Sequence, residues 1–333
     1  MCTPVTDLAS VCRRSTQRER QVSVRPRRSR SAGPDQLKAL LLVLVIFGHT
    51  FAERLDDSFT KWLIYGFHMP AFLFLSGYLL RAERLQERSY PELLTDYGRR
   101  MLLPWLAVSL LWASTFGVFP TDLRAVAELF TAPQWHLWYV PVLFAMISLT
   151  WLAVRLPHPF LLLAGTAAVG WLIWGTPLAE QLPPQLDLVD DRYFSYLVWF
   201  VAGFSARNTA ALRPHPALLI PGLLAAAVYS YSYQGSDWLA AISFLVLNLC
   251  LVTIVPAALD ELREPRAGWL VFMGQQSLWV YLFHAFATEP LRDADLPTLV
   301  QRTAGLALTA LICAVVALWY FRSESKARSA ERV

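Results

Sequence analysis

The sequence predicts an all-α integral membrane protein: about ten transmembrane helices in one bundle, with both termini cytoplasmic. Three observations carry this. Of the 333 residues, 56% are hydrophobic and 16% charged, with a mean hydropathy of +0.40; a soluble domain usually carries ~25% charged residues. The 13 Trp, 12 Tyr and 19 Phe suit aromatic belts at two interfaces. Basic residues recur in every second loop. A soluble enzyme is excluded by this hydropathy.

Residues 1–34 hold Arg13, Arg14, Arg18, Arg20, Arg25, Arg27, Arg28 and Arg30 and little apolar content. No apolar core precedes a cleavage site, so they do not read as a secretory signal. They read as a disordered basic arm lying on anionic lipid headgroups, or equally as an extension upstream of the true start. Nucleic-acid binding is the weaker reading, and no nucleic-acid partner is expected.

Residues 35–320 form the membrane domain, with residues 321–333 as a cytoplasmic tail. Its apolar segments fall at about 36–52, 62–80, 101–119, 137–154, 158–175, 193–206, 216–232, 238–258, 268–288 and 299–320, several near the ~20 residues a span needs. Arg81, Arg84, Arg88, Arg99 and Arg100 follow the second segment, and Arg155 the fourth. Arg207 and Arg213 follow the sixth, Arg263 and Arg266 the eighth, and Arg322, Lys326, Arg328 and Arg332 the tenth. The opposite loops carry Asp56, Asp57, Asp122, Glu128, Glu180, Asp187, Asp190, Asp191 and Asp237. The positive-inside rule then sets the orientation and favours ten spans. The localisation expected is the cell membrane, multi-pass, with membrane lipids as partners.

Topology converts sequence position into depth. His49 lies ~21 Å along a helix from Asp35, inside a hydrocarbon core ~30 Å thick. An ionisable ring at that depth is costly and reads as functional. His68, His136 and His284 fall in the same outer third, and Glu53, one turn beyond His49, is placed to orient its ring. Near neutral pH an imidazole accepts a proton from a hydroxyl. At the inner level stand Lys38, Ser76, Arg81, Arg99 and Arg100, and Arg forks match phosphate oxygens. Blander readings remain beside these. Loop arginines set topology; Trp135 and His136 anchor at an interface; His68-Met69-Pro70 marks a kink, with His68 bonding a freed carbonyl; His284 bonds a neighbouring helix, and Ser76 lets helices pack. Cys2, Cys12, Cys250 and Cys313 show neither disulfide nor metal spacing, and no metal is expected.

Four stretches resemble one family. They are Asp35-x-x-Lys38 with an apolar run to His49; Phe67-His68-Met69-Pro70-Ala71-Phe72-Leu73-Phe74-Leu75-Ser76-Gly77-Tyr78; Arg99-Arg100-Met101-Leu102-Leu103-Pro104-Trp105; and Ser277-Leu278-Trp279-Val280-Tyr281-Leu282-Phe283-His284. In this order they resemble the membrane acyltransferase-3 family over about residues 35–320. The stretch Trp135-His136-Leu137-Trp138-Tyr139-Val140-Pro141 lacks the Glu many members carry and is closer to a sugar O-acetylase-like branch. The resemblance implies transfer of an acyl group, usually acetyl from acetyl-CoA, to a carbohydrate hydroxyl. It makes His49 the general base, with His284 completing the acceptor site. Asp35 and Lys38 shape the cytoplasmic mouth, and Lys38, Arg81, Arg99, Arg100 and Ser76 are candidate contacts to CoA. His68, His136 and Trp138 are candidate acceptor contacts.

The rival classes are a transporter of a glycan, lipid or small metabolite, and a non-catalytic interaction protein using the basic arm. Intramembrane ionisable residues also mark transport paths, but the two halves of the chain share no motif, whereas inverted repeats are common in transporters. Acceptor identity, acyl length and oligomeric state are not encoded in any motif.

Overall fold

A computed structural model describes residues 31–51, 58–116, 119–133, 135–183, 189–209, 215–233, 237–294 and 296–330. Most of the basic arm, Glu53, Asp56, Asp57, Asp187, Arg213 and Arg332 lie outside the described residues.

Among the described residues the protein is entirely helical. The helices are α1 (Gly33–Gly48), α2 (Phe59–Tyr65), α3 (His68–Tyr78), α4 (Ala82–Gln86), α5 (Tyr90–Tyr97), α6 (Leu103–Thr115), α7 (Leu123–Thr131), α8 (Tyr139–Ala153) and α9 (Pro159–Trp174). They continue as α10 (Arg192–Ser195), α11 (Leu197–Thr209), α12 (Leu219–Tyr231), α13 (Asp237–Val252), α14 (Val255–Glu261), α15 (Gly268–Gln275), α16 (Ser277–Arg292) and α17 (Thr298–Ala330). Each apolar segment read from the sequence carries helix. Three helical stretches among the described residues are long and apolar enough to cross a membrane: His136–Ala153, Trp238–Glu261 and Thr298–Ser323.

Several of the others are broken, and their sequences show why. The second segment stops at Gly66-Phe67 and restarts at His68, with Pro70 in the new first turn, where its missing N–H costs nothing. The third begins as a π-turn, Gly98–Leu102, which carries Arg99 and Arg100 and leads into Pro104. In the opposite direction α17 runs past the expected end at residue 320, because the charged tail is built of good helix formers.

The bundle's polarity is inverted. Leu219, Ile220, Leu223 and Leu224 on α12, and Leu306, Leu311, Val315 and Leu318 on α17, face outward, while His68, His136, Thr150, Asn248 and His284 are buried. Such an apolar exterior needs lipid rather than water around it. Helices α3 and α11 pack backbone against backbone. A Cβ on Gly77 would overlap the Phe200 carbonyl, and one on Gly203 the Phe74 carbonyl. Glycine there lets backbone meet backbone. Gly274 brings α15 onto Asp35 of α1 in the same way. Gln36 then fastens α1 to the loop after α14: its side chain donates to the Leu262 and Glu264 carbonyls (2.8 and 2.9 Å) and accepts from the Arg266 N–H (2.9 Å).

α8 runs from His136 toward the arginine loop, where Arg155 donates to the carbonyls of Leu85 and Arg88 (2.9 and 2.5 Å). The bundle therefore has a histidine end and an arginine end.

Candidate active site

At the histidine end, separate elements deliver imidazoles to one place. His49 caps the C-terminus of α1. His136 sits in the 3-10 turn Trp135–Trp138, and His284 lies on α16. Ring centroids are 5.1 Å apart for His49–His284, 5.0 Å for His136–His284 and 6.0 Å for His49–His136. Tyr65 lies against His49 at 6.1 Å and against His68 at 5.0 Å, so His68 is one ring removed. His136 and His284 are buried, and His49 at the helix end is partly exposed as a residue with its ring enclosed by the other imidazoles and Tyr65.

Hydrogen bonds to carbonyls fix the proton positions, since a carbonyl only accepts. His284 donates from Nδ1 to the Tyr281 carbonyl at 2.6 Å, leaving Nε2 buried and unpartnered. His136 donates a long bond from Nε2 to the Leu282 carbonyl at 3.5 Å, leaving Nδ1 unpartnered. His68 donates from Nδ1 to the Ile64 carbonyl at 2.6 Å, across the helix break. Two buried imidazole nitrogens are thus left able to accept a proton or a hydrogen bond.

A pair of tyrosines underlies the imidazoles. The Tyr281 hydroxyl donates to the His136 carbonyl and accepts from the Tyr139 N–H at 3.3 Å. The Tyr139 hydroxyl meets Ser76 Oγ at 2.7 Å. These residues close one end of a cavity of about 310 Å³, mostly apolar, that reaches past Val45, Ser76 and Tyr97 to Lys38. At ~1.5 Å per residue, Lys38 and His49 differ in level by ~16 Å. A second space of about 180 Å³ shares Leu79, Leu80 and Tyr97 with it and is lined by Arg81, Arg84, Arg88 and Arg100, with Asp96. Arg88 pairs with Asp96 at 2.5 Å. Burial raises the Tyr97 phenol above its usual range, against the pull of Arg88 and Arg100, so it stays protonated as a donor.

Thus Lys38 and Ser76 line the apolar cavity and Arg81 and Arg100 the adjoining basic space, while Arg99 is exposed and lines neither. Asp35 is buried and pairs with Lys38 at 3.7 Å. Trp138 stands beside the imidazoles but packs on Tyr196, at 5.3 Å, and under the Arg192 guanidinium, at 4.9 Å. Sequence reasoning missed Tyr65, Tyr139 and Tyr281 and passed over Arg84 and Arg88 as topology signals. A clue was available: Tyr139 follows His136 by three residues and Tyr281 precedes His284 by three, which on a helix is one face. Among the described residues no group of three or more His, Cys, Asp or Glu side chains is arranged to hold a metal ion.

Comparison with known proteins gives two findings. The family described as an acyltransferase domain matches residues 31–321. The serine/alanine racemase of Enterococcus gallinarum is 24% identical over 291 residues, covering 77% of this chain and 41% of that protein. The chain therefore spans about two-fifths of the length of this curated relative. No solved structure matches.

Proposed function

Because the chain belongs to the membrane acyltransferase-3 family, matched over residues 31–321, we propose that it moves an acyl group, acetyl in the simplest case, from acyl-CoA to a carbohydrate hydroxyl. The observation that carries this reading is the pair of adjoining spaces, a basic one at the arginine cluster and an apolar one from Lys38 to the tyrosines beneath the imidazoles, with Leu79, Leu80 and Tyr97 between them. It has the order an acyl-CoA requires. Phosphates meet Arg81, Arg84 and Arg100, whose guanidinium forks suit them. The pantetheine arm follows the apolar cavity, and the thioester stops near Tyr139 and Tyr281.

His49 serves as the base because its ring lies against both other imidazoles, 5.1 Å from His284 and 6.0 Å from His136, and it ends the helix that carries Lys38 of the acyl cavity. It takes the hydroxyl proton as the oxygen attacks the thioester carbonyl. The new C–O bond forms, the C–S bond breaks, and CoA leaves as thiolate to collect a proton. His136 and His284 offer their unpartnered nitrogens to the acceptor. Holding donor and acceptor together supplies much of the rate. Ten membrane spans, with the arginine end in the cytosol, complete the proposal.

The test uses protein in nanodiscs, labelled acetyl-CoA and a panel of glycans, following both label transfer and thiol release. Transfer that is CoA-dependent and lowered about 10²–10⁴-fold by His49→Ala is expected, the range for a positioned base. Undiminished transfer in His49→Ala removes its role. Transfer of the glycan itself into vesicles, with no thiol released, overturns the enzyme reading.

A further inference from the structure

A third space, a cleft of about 370 Å³, opens at the histidine end of the bundle, apart from the acyl cavity. The end of α9 gives it Trp171 and Trp174, one turn apart and half-buried. The 3-10 turn Pro177–Gln181 gives it Glu180, and the residue before α10 gives Asp191. Ala240 and Ala241 of α13 leave the room. The turn is built rather than loose: Thr176 Oγ donates to the Leu172 carbonyl at 2.7 Å and accepts from the Leu178 N–H at 3.3 Å.

Two observations point to a ligand. Trp199 at the base of the cleft is fully buried, and its Nε1–H has no partner. A buried donor left unmade is costly, and a ligand oxygen would satisfy it. The lining also combines indole faces with carboxylates. Asp190 is held by Arg192, which donates from Nε at 2.7 Å and closes a bidentate pair; Asp191 beside it lines the cleft. Tyr196 connects the cleft to the site: it lines the cleft and packs on Trp138, two residues from His136.

We infer that this cleft docks a sugar ring of the acceptor, free or carried on a lipid, with its C–H face on Trp171 or Trp174 and its hydroxyls on Asp191, Glu180 and the Trp199 N–H. The volume is that of a small-ligand pocket. A pyranose presents what this lining asks for, an apolar face with neighbouring hydroxyls that a carboxylate's two oxygens accept together. The aromatic platform supplies contact area at little entropy cost. Why a sugar should bind here rests on the acyltransferase reading, but the binding test needs no turnover.

Full-length protein in nanodiscs, without acyl donor, is titrated with methyl hexosides and methyl N-acetylhexosaminides, following tryptophan fluorescence and saturation-transfer NMR. A parallel arm places the same sugars on a lipid within the disc, and choline serves as a cationic probe. Saturable glycoside binding is expected in at least one arm, and the arm that saturates identifies the source. Trp174→Ala and Asp191→Asn should each raise Kd about tenfold, while Trp174→Phe keeps Kd within about threefold. CoA binding, measured in every variant, should stay unchanged and so reports folding. Glycosides that fail to saturate in both arms, choline binding in their place, or variants that bind glycoside like the parent protein overturn the inference. Lost CoA binding in the parent protein with glycoside binding intact instead overturns the donor assignment alone.

Discussion

Removing one oxygen from Tyr281 separates the imidazole cluster from the fold that carries it. In Tyr281→Phe the ring keeps its packing, 5.5 Å from Tyr139 and 5.8 Å from His136. What goes is the hydroxyl that donates to the His136 carbonyl and accepts from the Tyr139 N–H. Both groups lose that bond where the turn that holds His136 joins α8. A buried polar group left unsatisfied costs about 1–3 kcal/mol. The 3.3 Å bond to the Tyr139 N–H is long, so most of the cost falls on the carbonyl. If the turn loosens, the loss appears in catalysis, where 1.36 kcal/mol is tenfold. The expected fall in kcat is therefore about five- to 160-fold, with KM for acyl-CoA within about twofold, because the arginine cluster is untouched. Steady-state transfer with each substrate varied separately measures this, beside a thermal melt. A lowered melting temperature with wild-type kcat would refute the reasoning: the turn would then hold the fold without holding the imidazole.

Three further outcomes follow from the same geometry. Arg100→Ala should raise KM for acyl-CoA about three- to tenfold, an effect that shrinks at high salt because the site is exposed, whereas Arg99→Ala, outside the basic space, should change it less than about twofold. Gly203→Val should abolish the monodisperse folded species in detergent, since even its Cβ meets the Phe74 backbone, while Gly165→Ala, with open space at its Cβ, should purify normally. Glu92 gives a pH dependence. Bonds from the Ser89 N–H and hydroxyl hold its carboxyl below the usual range, so its contribution to α5 is present above the unfolded pKa and is lost as pH falls through the folded one. The melting-temperature gap between the parent protein and Glu92→Gln should narrow as pH drops below about 4, and a constant gap would show the capping bond idle.

The apolar runs were legible because lipid selects for composition over whole segments, and depth counting along them placed His49, His68, His136 and His284 at one level. That His49, His136 and His284 form a triangle was not legible. It depends on which faces of α1, α8 and α16 meet, and an all-round apolar helix carries no moment to say so. The break before His68 was legible from His68-Met69-Pro70, whereas the π-turn at Gly98 was hidden for a related reason. Hydropathy averages over a window, while a π-turn or a restarted helix is decided by one or two residues. Arg84 and Arg88 were readable as charges, yet their place beside Arg81 and Arg100 comes from the fold of α4 and α5, short helices that hydropathy does not register.

The two readings of His68, kink and site, are not rivals. Backbone broken inside a membrane must find partners within the protein, and here residues of the candidate site are among those partners. His68 takes the Ile64 carbonyl at the break before α3, and Asn248 takes the Gly66 carbonyl at 2.6 Å. Tyr281 takes the His136 carbonyl, and Trp105 the Leu137 carbonyl at 2.9 Å. His284 takes the Tyr281 carbonyl in turn. His68, His136 and His284 are thus each tethered to a backbone carbonyl through one nitrogen, and the other nitrogen of His136 and of His284 is unpartnered. A substitution that deletes a whole ring therefore removes a structural bond and a reactive atom together. The informative change is one that keeps the tether alone. His284→Asn retains an N–H that can reach the Tyr281 carbonyl and lacks the second nitrogen, so it should fold like the parent protein and lose transfer. Should it transfer normally, the free nitrogen of His284 has no part in the reaction.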